Sequence, residues 1–262
     1  MTNKTTPLIL TYNEAPNLKR TLERLAWARE IVVVDSGSTD STLAIAREFP
    51  AVRVVPRPFD SFAGQCNFGL QQIKTEWVLS LDADYVLSPE LVEEIRSLPE
   101  RAEVAGYRAG FRYCVYGRPL RTCLYPPRTV LYRRAQARYH DDGHGHRVQV
   151  EGNIAGLSGR IDHDDRKPLT HWLWAQDRYA ILEAAKLEVA KSGELGWPDR
   201  IRKQIVLAPA LVFFYTLFGQ RLILDGWAGW FYVWQRTLAE MILSLRLTEI
   251  KLKKALKSCP VK

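Results

Sequence analysis

The amino-acid sequence predicts an α/β fold with a mainly parallel sheet in its first part and a helical extension after it. Three observations lead to this prediction. Short apolar runs alternate with helical periodicity over residues 7–55, which is the rhythm of βαβ units. The β-branched run 31–34 has no polar alternation and is typical of a buried parallel strand. Residues 205–247 are instead predicted as amphipathic or apolar helices.

The composition is that of a basic globular protein. The chain has 262 residues, and 37 Lys and Arg against 29 Asp and Glu give a formal net charge of +8. This excess favours an anionic partner such as a nucleotide or a phospholipid surface. The four cysteines form no C-x-x-C pair, which predicts a reducing compartment without a structural zinc site. The chain starts without a signal-peptide pattern, so we expect a cytoplasmic location.

The first elements follow in order from local patterns. Strands are predicted at residues 7–12, 31–34 and 52–55, and helices at residues 17–27 and 42–49. Asp35 follows the second strand, where a carboxylate can accept from a ribose hydroxyl or a base N–H. Asp40 is the better placed helix cap, which leaves Asp35 freer for a ligand. The sequence contains neither a G-x-G-x-x-G after the first strand nor a P-loop motif, which argues against a dinucleotide enzyme or a P-loop ATPase.

Two acidic residues, Asp82 and Asp84, close the next predicted strand, which covers residues 75–81. Ligands bind at the carboxyl ends of strands in open α/β sheets. Carboxylates two apart on an extended chain point the same way, so they can share a hard cation such as Mg²⁺ or Mn²⁺ that holds a diphosphate. The alternative is a solvated strand end that caps the next helix.

Three motifs, taken together, resemble the family-2 glycosyltransferases of the GT-A fold. They are Thr11-Tyr12-Asn13-Glu14, the segment 33–40 with Asp35, and the D-x-D motif of Asp82 and Asp84. The resemblance covers roughly residues 5–165 and is greatest to the lipopolysaccharide-core β-glycosyltransferases. It implies a GT-A, Rossmann-like domain for nucleotide-diphospho-sugar transfer at residues 1–168. Residues 169–262 would then form a C-terminal helical region.

The resemblance also implies roles for single residues. Asp82 would face the ribose and sugar, Asp84 would bind Mg²⁺ or Mn²⁺, and His163 would complete the metal shell. For His163, a capped turn is the alternative. Ser36 stands where many members have a second Asp, a difference that we interpret as tolerable. The residues implied to hold the uracil and ribose are Thr11, Tyr12, Asn13, Glu14 and Asp35.

Further polar residues have more than one interpretation. Gln65 and Asn67 lie in a segment that resembles the family's nucleotide-proximal segment, although Asn67 alternatively satisfies nearby backbone.

Inverting transfer needs a base for the acceptor hydroxyl, and the candidates are Asp142 and then Asp141. The family often has His-Glu in a similar stretch, whereas Arg147 follows His146 here, which leaves the base open. Arginines and aromatics in residues 104–134 suit a phosphorylated acceptor, or form an ordinary sheet with a solvated face.

The C-terminal region predicts association with a membrane surface. Residues 205–219 carry no charge but are shorter than the ~20 residues of a straight span. Trp227, Trp230, Tyr232 and Trp234 are of the type that collects at membrane interfaces, and basic clusters flank the region. We expect a peripheral or monotopic protein on the cytoplasmic face of the bacterial inner membrane. A homodimer interface in solution is the alternative.

The function that follows is inverting, metal-dependent transfer of a sugar. The donor is a nucleotide-sugar, expected to be a UDP-sugar, and the acceptor is lipopolysaccharide core or another lipid-linked glycan. The alternative is a noncatalytic nucleotide-binding or membrane scaffold protein on the same fold, against which the intact D-x-D motif argues. Nucleic acid is not an expected partner, because the positive charge concentrates at the flanks of the C-terminal region without a stacking motif.

Overall fold

A computed structural model describes residues 1–99, 102–122, 125–142, 145–191, 193 and 195–258. By their packing the residues form two units. The first contains Met1–Pro119 and Cys123–Lys167, and the second contains Leu120–Thr122 and Pro168–Lys262. The division into a catalytic domain and a membrane-associated region stays a prediction.

The first unit is a mixed sheet with helices on its faces. Its strands are β1 (Thr5–Thr11), β2 (Ile31–Asp35), β3 (Val52–Pro56), β4 (Trp77–Asp82), β5 (Tyr85–Leu87), β6 (Val104–Val115), β7 (Arg118–Pro119), β8 (Arg128–Arg133), β9 (Ala137–Asp142), β10 (Gly145–Val150) and β11 (Asn153–His163). Its helices are α1 (Leu18–Glu23), α2 (Thr42–Arg47), α3 (Phe62–Gln72) and α4 (Pro89–Ser97), with short 3-10 turns at Thr2–Lys4 and Arg134–Gln136.

The strand order β3-β2-β1-β4-β8-β6-β11-β5 joins two kinds of sheet. The strands β1 to β4 pair in parallel. Beyond them β8 runs antiparallel to β4 and β6, while β11 is parallel to β6 and antiparallel to β5. A separate hairpin pairs β9 with β10. The predicted α/β class is therefore confirmed.

Alternate residues of the central strands face two different helices. Ile9 and Val33 pack in one cluster with Leu22 of α1, whereas Leu8 and Val32 pack in another with residues of α3. Every residue of β2 is buried. Since both faces of the sheet are covered, the strand needs no polar alternation, which explains the run of apolar residues that predicted it.

The strand register gathers the acidic motifs at one edge of the sheet. Thr11 is the register partner of Asp35, and Leu10 is that of Asp82. Because these strands are parallel, their carboxyl ends meet at the same edge. The last strand of the unit, β11, ends at His163, whose register partner is Tyr85. This pairing brings the end of β11 beside the turn that contains Asp84.

The second unit is helical. It contains α5 (Leu169–Val189), α6 (Trp197–Arg202), α7 (Leu207–Phe214), a π-helical turn (Tyr215–Gly219), a 3-10 turn (Leu222–Asp225) and α8 (Gly226–Ser258). The predicted helical extension is confirmed. The last helix continues beyond Leu247, where the sequence pattern ended, because its charged residues pair with one another, as Lys253 does with Glu249.

Small and apolar side chains join α5 to α8, and a backbone break bends the chain before α8. Ala184 and Leu187 pack with Leu243 in a buried cluster. Arg221, which lies between α7 and α8, and Gly226, the first residue of α8, have φ angles of 58° and 59°. Among the described residues, a single helix long and apolar enough to cross a bilayer is not found, but the pair Leu207–Gly219 and Leu222–Leu256, bent by 67°, meets the requirement together.

Candidate active site

Asp35 is buried in the loop that follows β2, and donors surround its carboxylate. Thr11 Oγ1 donates to Asp35 Oδ1 at 3.0 Å, and the backbone N–H groups of Gly37 and Ser38 donate to Oδ2 at 2.9 Å each. The Ser38 hydroxyl donates to Oδ1 as well. A carboxylate has about four lone-pair sites, and these donors occupy them, which is contrary to the expectation that capping by Asp40 leaves Asp35 freer for a ligand. Its side chain organises the loop, and its contact with a nucleotide stays a prediction.

The turn after β1 is fastened to the same loop. Asn13 adopts a left-handed conformation with φ 54°, which asparagine tolerates better than most residues. Its Oδ1 accepts from Thr39 N at 2.8 Å, and its backbone N–H donates to Ser38 Oγ at 2.9 Å. Tyr12 is 49 % exposed beside this turn. Of the four residues from Thr11 to Glu14, Tyr12 is thus the most accessible to a ligand.

Asp84 is buried, and it contacts His163, which is partly buried. Asp82 is the last residue of β4, whereas Asp84 lies in the turn before β5, so the extended-chain argument applies only as far as Asp82. His163 Nε2 lies 3.0 Å from Asp84 Oδ2. Burial opposes the charge on both residues. Even so, His163 lowers the pKa of Asp84, and Asp84 raises the pKa of His163. Each side chain therefore favours the charged form of the other.

Three tyrosines surround the His163 ring. The ring centroids of Tyr85, Tyr113 and Tyr125 lie 5.3, 5.0 and 4.9 Å from that of His163, each nearly edge-to-face. His163 Nδ1 is buried and has no hydrogen-bond partner among the described residues. The aromatic rings fix the orientation of the imidazole, because edge-to-face contacts at these distances are favourable.

The donor atoms of Asp84 and His163 suit a divalent cation that is shared with a substrate. In the part of the chain that the structure describes, no group of three or more His, Cys, Asp and Glu side chains is arranged to hold a metal by itself. Mg²⁺ is commonly bound by one or two carboxylates together with substrate phosphates. Asp84 and His163, with Asp82 nearby on the same strand end, fit this kind of site.

Asn17 is a connecting residue that the sequence analysis did not identify as part of the site. It is fully buried, and its Nδ2 donates to Glu14 Oε2 and Asp165 Oδ1, both at 2.8 Å. Its Oδ1 accepts from Arg166 N at 2.9 Å and from Arg20 at 2.8 Å. These bonds use the full capacity of the amide. They tie the start of α1 to the segment that follows His163.

Charged side chains reinforce this connection. Lys167 Nζ lies 2.5 Å from Glu14 Oε1. Burial lowers the pKa of Lys167, but Glu14, Asp165 and Asp84 raise it more, so the ammonium stays charged. Arg20 binds the buried Asp164 at 2.7 Å. Glu14, for which a nucleotide contact is predicted, is thus already paired within the protein.

The α3 residues Gln65 and Asn67 have protein partners. Gln65 is buried, and its Nε2 donates to the carbonyl oxygens of Arg57 and Pro58 at 3.1 and 3.0 Å. Asn67 exchanges two hydrogen bonds with the backbone of Tyr139, at 3.0 and 2.9 Å. This observation supports the alternative interpretation of Asn67, in which it satisfies backbone groups. The nucleotide contacts of both amides stay predictions.

The two base candidates lie on β9. Asp141 is exposed, and its Oδ1 accepts from Ala63 N at 3.2 Å. The Asp142 side chain lies outside the described residues, as do His144 and the side chain of His146. The choice of base therefore stays a prediction.

Comparison with known proteins assigns the family. The model for "Glycosyl transferase family 2" matches residues 8–149, which is more than half of the chain. The protein therefore belongs to glycosyltransferase family 2 and is a glycosyltransferase, as predicted.

Relatives and a solved structure agree with this assignment. Lipopolysaccharide core biosynthesis glycosyltransferase LpsC of Rhizobium meliloti is 28% identical over 235 residues, which are 84% of this chain and 83% of LpsC. An uncharacterized glycosyltransferase of Rickettsia bellii is 41% identical over 96 residues, or 36% of this chain and 32% of that protein. The structure of S. aureus TarS 1-349 in complex with UDP-GlcNAc aligns with a TM-score of 0.50 at 15% identity, covering 96% of this chain and 92% of the TarS chain. The last likeness concerns the fold alone, and it agrees with the predicted GT-A class.

Proposed function

We propose that the protein transfers a sugar, with inversion, from a UDP-sugar to a lipopolysaccharide-core or other lipid-linked glycan. The observation that carries this proposal is the partly buried Asp84–His163 pair at the carboxyl edge of the parallel strands. The likeness to LpsC over most of both chains supports the class of acceptor. The UDP-GlcNAc complex of TarS supports the class of donor.

In the proposed reaction the nucleotide-sugar binds at the carboxyl edge of the parallel strands. Asp84 and His163 would hold a divalent ion, with Asp82 toward the sugar, and the bound ion would supply positive charge to the diphosphate. Asp142 or Asp141 accepts the proton of the acceptor hydroxyl. The acceptor oxygen forms a bond to the anomeric carbon on the face opposite the diphosphate, so that UDP leaves and the configuration inverts.

The test is transfer from a panel of radiolabelled UDP-sugars to a lipopolysaccharide-core extract in the presence of Mn²⁺. We expect Asp84→Asn to lower the rate at least about a hundredfold, which is the scale of losing one electrostatic contact to a transition state. Glu30→Gln is the matched control, because Glu30 is a partly exposed acid, paired with Arg53, just before β2 and so at the end of that strand opposite Asp35.

Two results would count against the proposal. If Asp84→Asn keeps the rate of the unchanged protein, the metal role is wrong. If the unchanged protein neither transfers nor hydrolyses any UDP-sugar, a noncatalytic nucleotide-binding or scaffold protein is the better interpretation.

We also propose that the second unit binds the cytoplasmic face of the bacterial inner membrane. Its aromatic surface consists of Phe214, Phe218, Trp230 and Trp234, whose side chains are 36–58 % exposed. Phe214 stacks on Phe218, and Trp230 stacks on Trp234. Exposed aromatics of this kind favour the headgroup region of a bilayer. Several flanking cations already have acidic partners, as Arg202 has in Glu240, so we expect apolar contact to dominate.

Flotation with liposomes that contain anionic lipid tests the membrane proposal. Replacing Phe218 and Trp234 by serine is expected to remove most of the bound fraction, whereas Trp197→Ser on α6, which is also highly exposed, is the control. Equal flotation of all three proteins would exclude the aromatic surface. A protein that does not float and sediments as a dimer would favour the homodimer instead.

A further inference from the structure

Arg128, at the start of β8, is an exposed cation that pairs with no acidic side chain among the described residues. Its guanidinium carbon lies 5.0 Å from the centroid of the Tyr125 ring. Its Nη1 lies 3.5 Å from the Tyr85 hydroxyl, which is a long contact. By contrast, Arg20 and Arg112 in the same unit are each bonded to an aspartate. The charge of Arg128 is therefore held in place without being neutralised.

The two tyrosines that hold Arg128 also enclose His163. The Tyr125 ring centroid is 4.9 Å from that of His163, and the Tyr85 centroid is 5.3 Å from it. One aromatic ring thus separates the guanidinium from the histidine of the candidate active site. The Tyr85 hydroxyl contacts Arg128, and Tyr85 directly follows Asp84 in the chain.

The chemistry of this arrangement suits a phosphate group. A guanidinium has five N–H donors, and among the described residues Arg128 uses one of them, in the long contact with Tyr85. Planar guanidinium groups bind phosphate oxygens in pairs. Stacking on Tyr125 already restricts the side chain, so less conformational entropy is lost when a ligand binds. Asp82 and Asp84 could have attracted Arg128, but they do not pair with it.

We propose that Arg128 is a phosphate-binding residue of the active site. Its ligand is a phosphate group of one of the two substrates, either the diphosphate of the donor or a phosphate on the glycan acceptor. This proposal rests on the proposed function, because it needs a phosphate-bearing substrate beside Asp84 and His163.

The experiment compares Arg128→Gln, which removes the charge, with Arg128→Lys, which keeps the charge but not the planar donor pair. Arg96→Gln is the matched control, since Arg96 is an exposed arginine on α4 that pairs with Glu93. Calorimetric titrations with UDP and with uridine, both with Mn²⁺ present, measure the donor side. Steady-state transfer to a lipopolysaccharide-core extract measures the acceptor side. Thermal unfolding of each variant checks that the fold is retained.

If the donor supplies the phosphate, Arg128→Gln should weaken UDP binding by about tenfold to a hundredfold, the range expected for losing a hydrogen bond to a charged group. Uridine, which has no phosphate, should bind as before, and Arg128→Lys should recover part of the loss. If the acceptor supplies the phosphate, UDP binding should stay unchanged while the acceptor KM rises by a similar factor. That rise should disappear with an acceptor treated with phosphatase.

The proposal is overturned if UDP affinity and acceptor KM of Arg128→Gln both stay within about twofold of the Arg96→Gln control. It is also overturned if UDP and uridine weaken equally, because phosphate then plays no part. Should Arg128→Gln fail to fold, the same comparison with Arg128→Lys decides. A wild-type protein that binds no UDP and transfers no sugar would contradict the proposed function itself. If the wild-type protein is active and Arg128→Gln changes neither UDP affinity nor acceptor KM, only the role of Arg128 is contradicted.

Discussion

The contact between His163 and Asp84 joins residues that are 79 positions apart in the chain. It forms because β11 ends beside β5, directly after the turn with Asp84. The D-x-D motif could be predicted, since its position at a strand end is visible in the sequence. That His163 lies beside it came from family resemblance, because no local pattern encodes a pairing between such distant strands.

The same pair predicts how stability depends on pH when no metal is bound. The folded pKa of His163 is raised above 6.5, so its stabilising contribution is complete below pH 6.5 and is lost as pH rises through the folded value. The folded pKa of Asp84 is lowered below 3.8, so its contribution is present above pH 3.8 and is lost as pH falls through the folded value. The pair should therefore stabilise the protein most between these limits.

Urea unfolding from pH 5 to 9, with a chelator present, measures this dependence. The unchanged protein should lose free energy of unfolding above pH 6.5, and His163→Gln should show a flatter profile over that range. Parallel profiles for the two proteins would contradict the assignment of the pH dependence to His163.

Other residues show where sequence reasoning at this scale stops. Asp35 was expected to be freer for a ligand than Asp40. Its backbone donors Gly37 and Ser38 lie two and three residues away, so local turn chemistry could have revealed them. Asn17 was recognisable only as a residue at a helix start. Its partner Asp165 lies 148 positions away, and only the folded chain brings the two together.

At the scale of elements, the packing of β11 against α4 depends on a glycine. A Cβ atom at Gly159 would lie 2.5 Å from the Cα atom of Leu91, and the Gly159 N–H donates to Glu94 at 2.8 Å. Any side chain there forces backbone apart, which costs about 1–3 kcal/mol in a packed interior. The close approach of α4 to β11 is therefore possible only with glycine at this position.

Gly159→Ala should lower the free energy of unfolding by about 1–3 kcal/mol. The control is Gly156→Ala in the same strand, because a Cβ atom there would meet no atom within 4 Å. Equilibrium urea unfolding of the two variants at one pH provides the comparison. Equal stability of the two variants would show that α4 does not approach β11 as closely as the structure has it.

Helices and strands could be predicted from the sequence where their apolar periodicity or their capping residues fall within one short segment. The first strands and helices follow from apolar runs and from caps such as Ser88, whose hydroxyl accepts from Leu91 N at 3.2 Å. The short β5 was not predicted, because three residues carry too little pattern and the strand exists through its pairing with β11. The length of α8 was underestimated for a similar reason, since ion pairs rather than an apolar stripe extend it.

At the scale of the whole molecule, the family and the α/β class were predictable because three motifs occur in a fixed order along parallel strands. The family match over residues 8–149 confirms that prediction. Donor, acceptor and metal are properties of complexes, and the chain encodes them only through side chains that would touch a ligand. The network from Asn17 to Lys167 ties the start of α1 to the segment that follows His163 through partly buried polar and charged contacts.

Metal binding by Asp84 at the nucleotide site is tested most directly by calorimetric titration of UDP into the unchanged protein and into Asp84→Asn, each with and without Mn²⁺. The coupling between metal and nucleotide should tighten UDP binding to the unchanged protein by about tenfold or more when Mn²⁺ is present. In Asp84→Asn this gain should disappear, while Glu30→Gln should retain it. Metal binding by Asp84 would be contradicted if Mn²⁺ did not change the UDP affinity of the unchanged protein. It would also be contradicted if Mn²⁺ still increased the UDP affinity of Asp84→Asn.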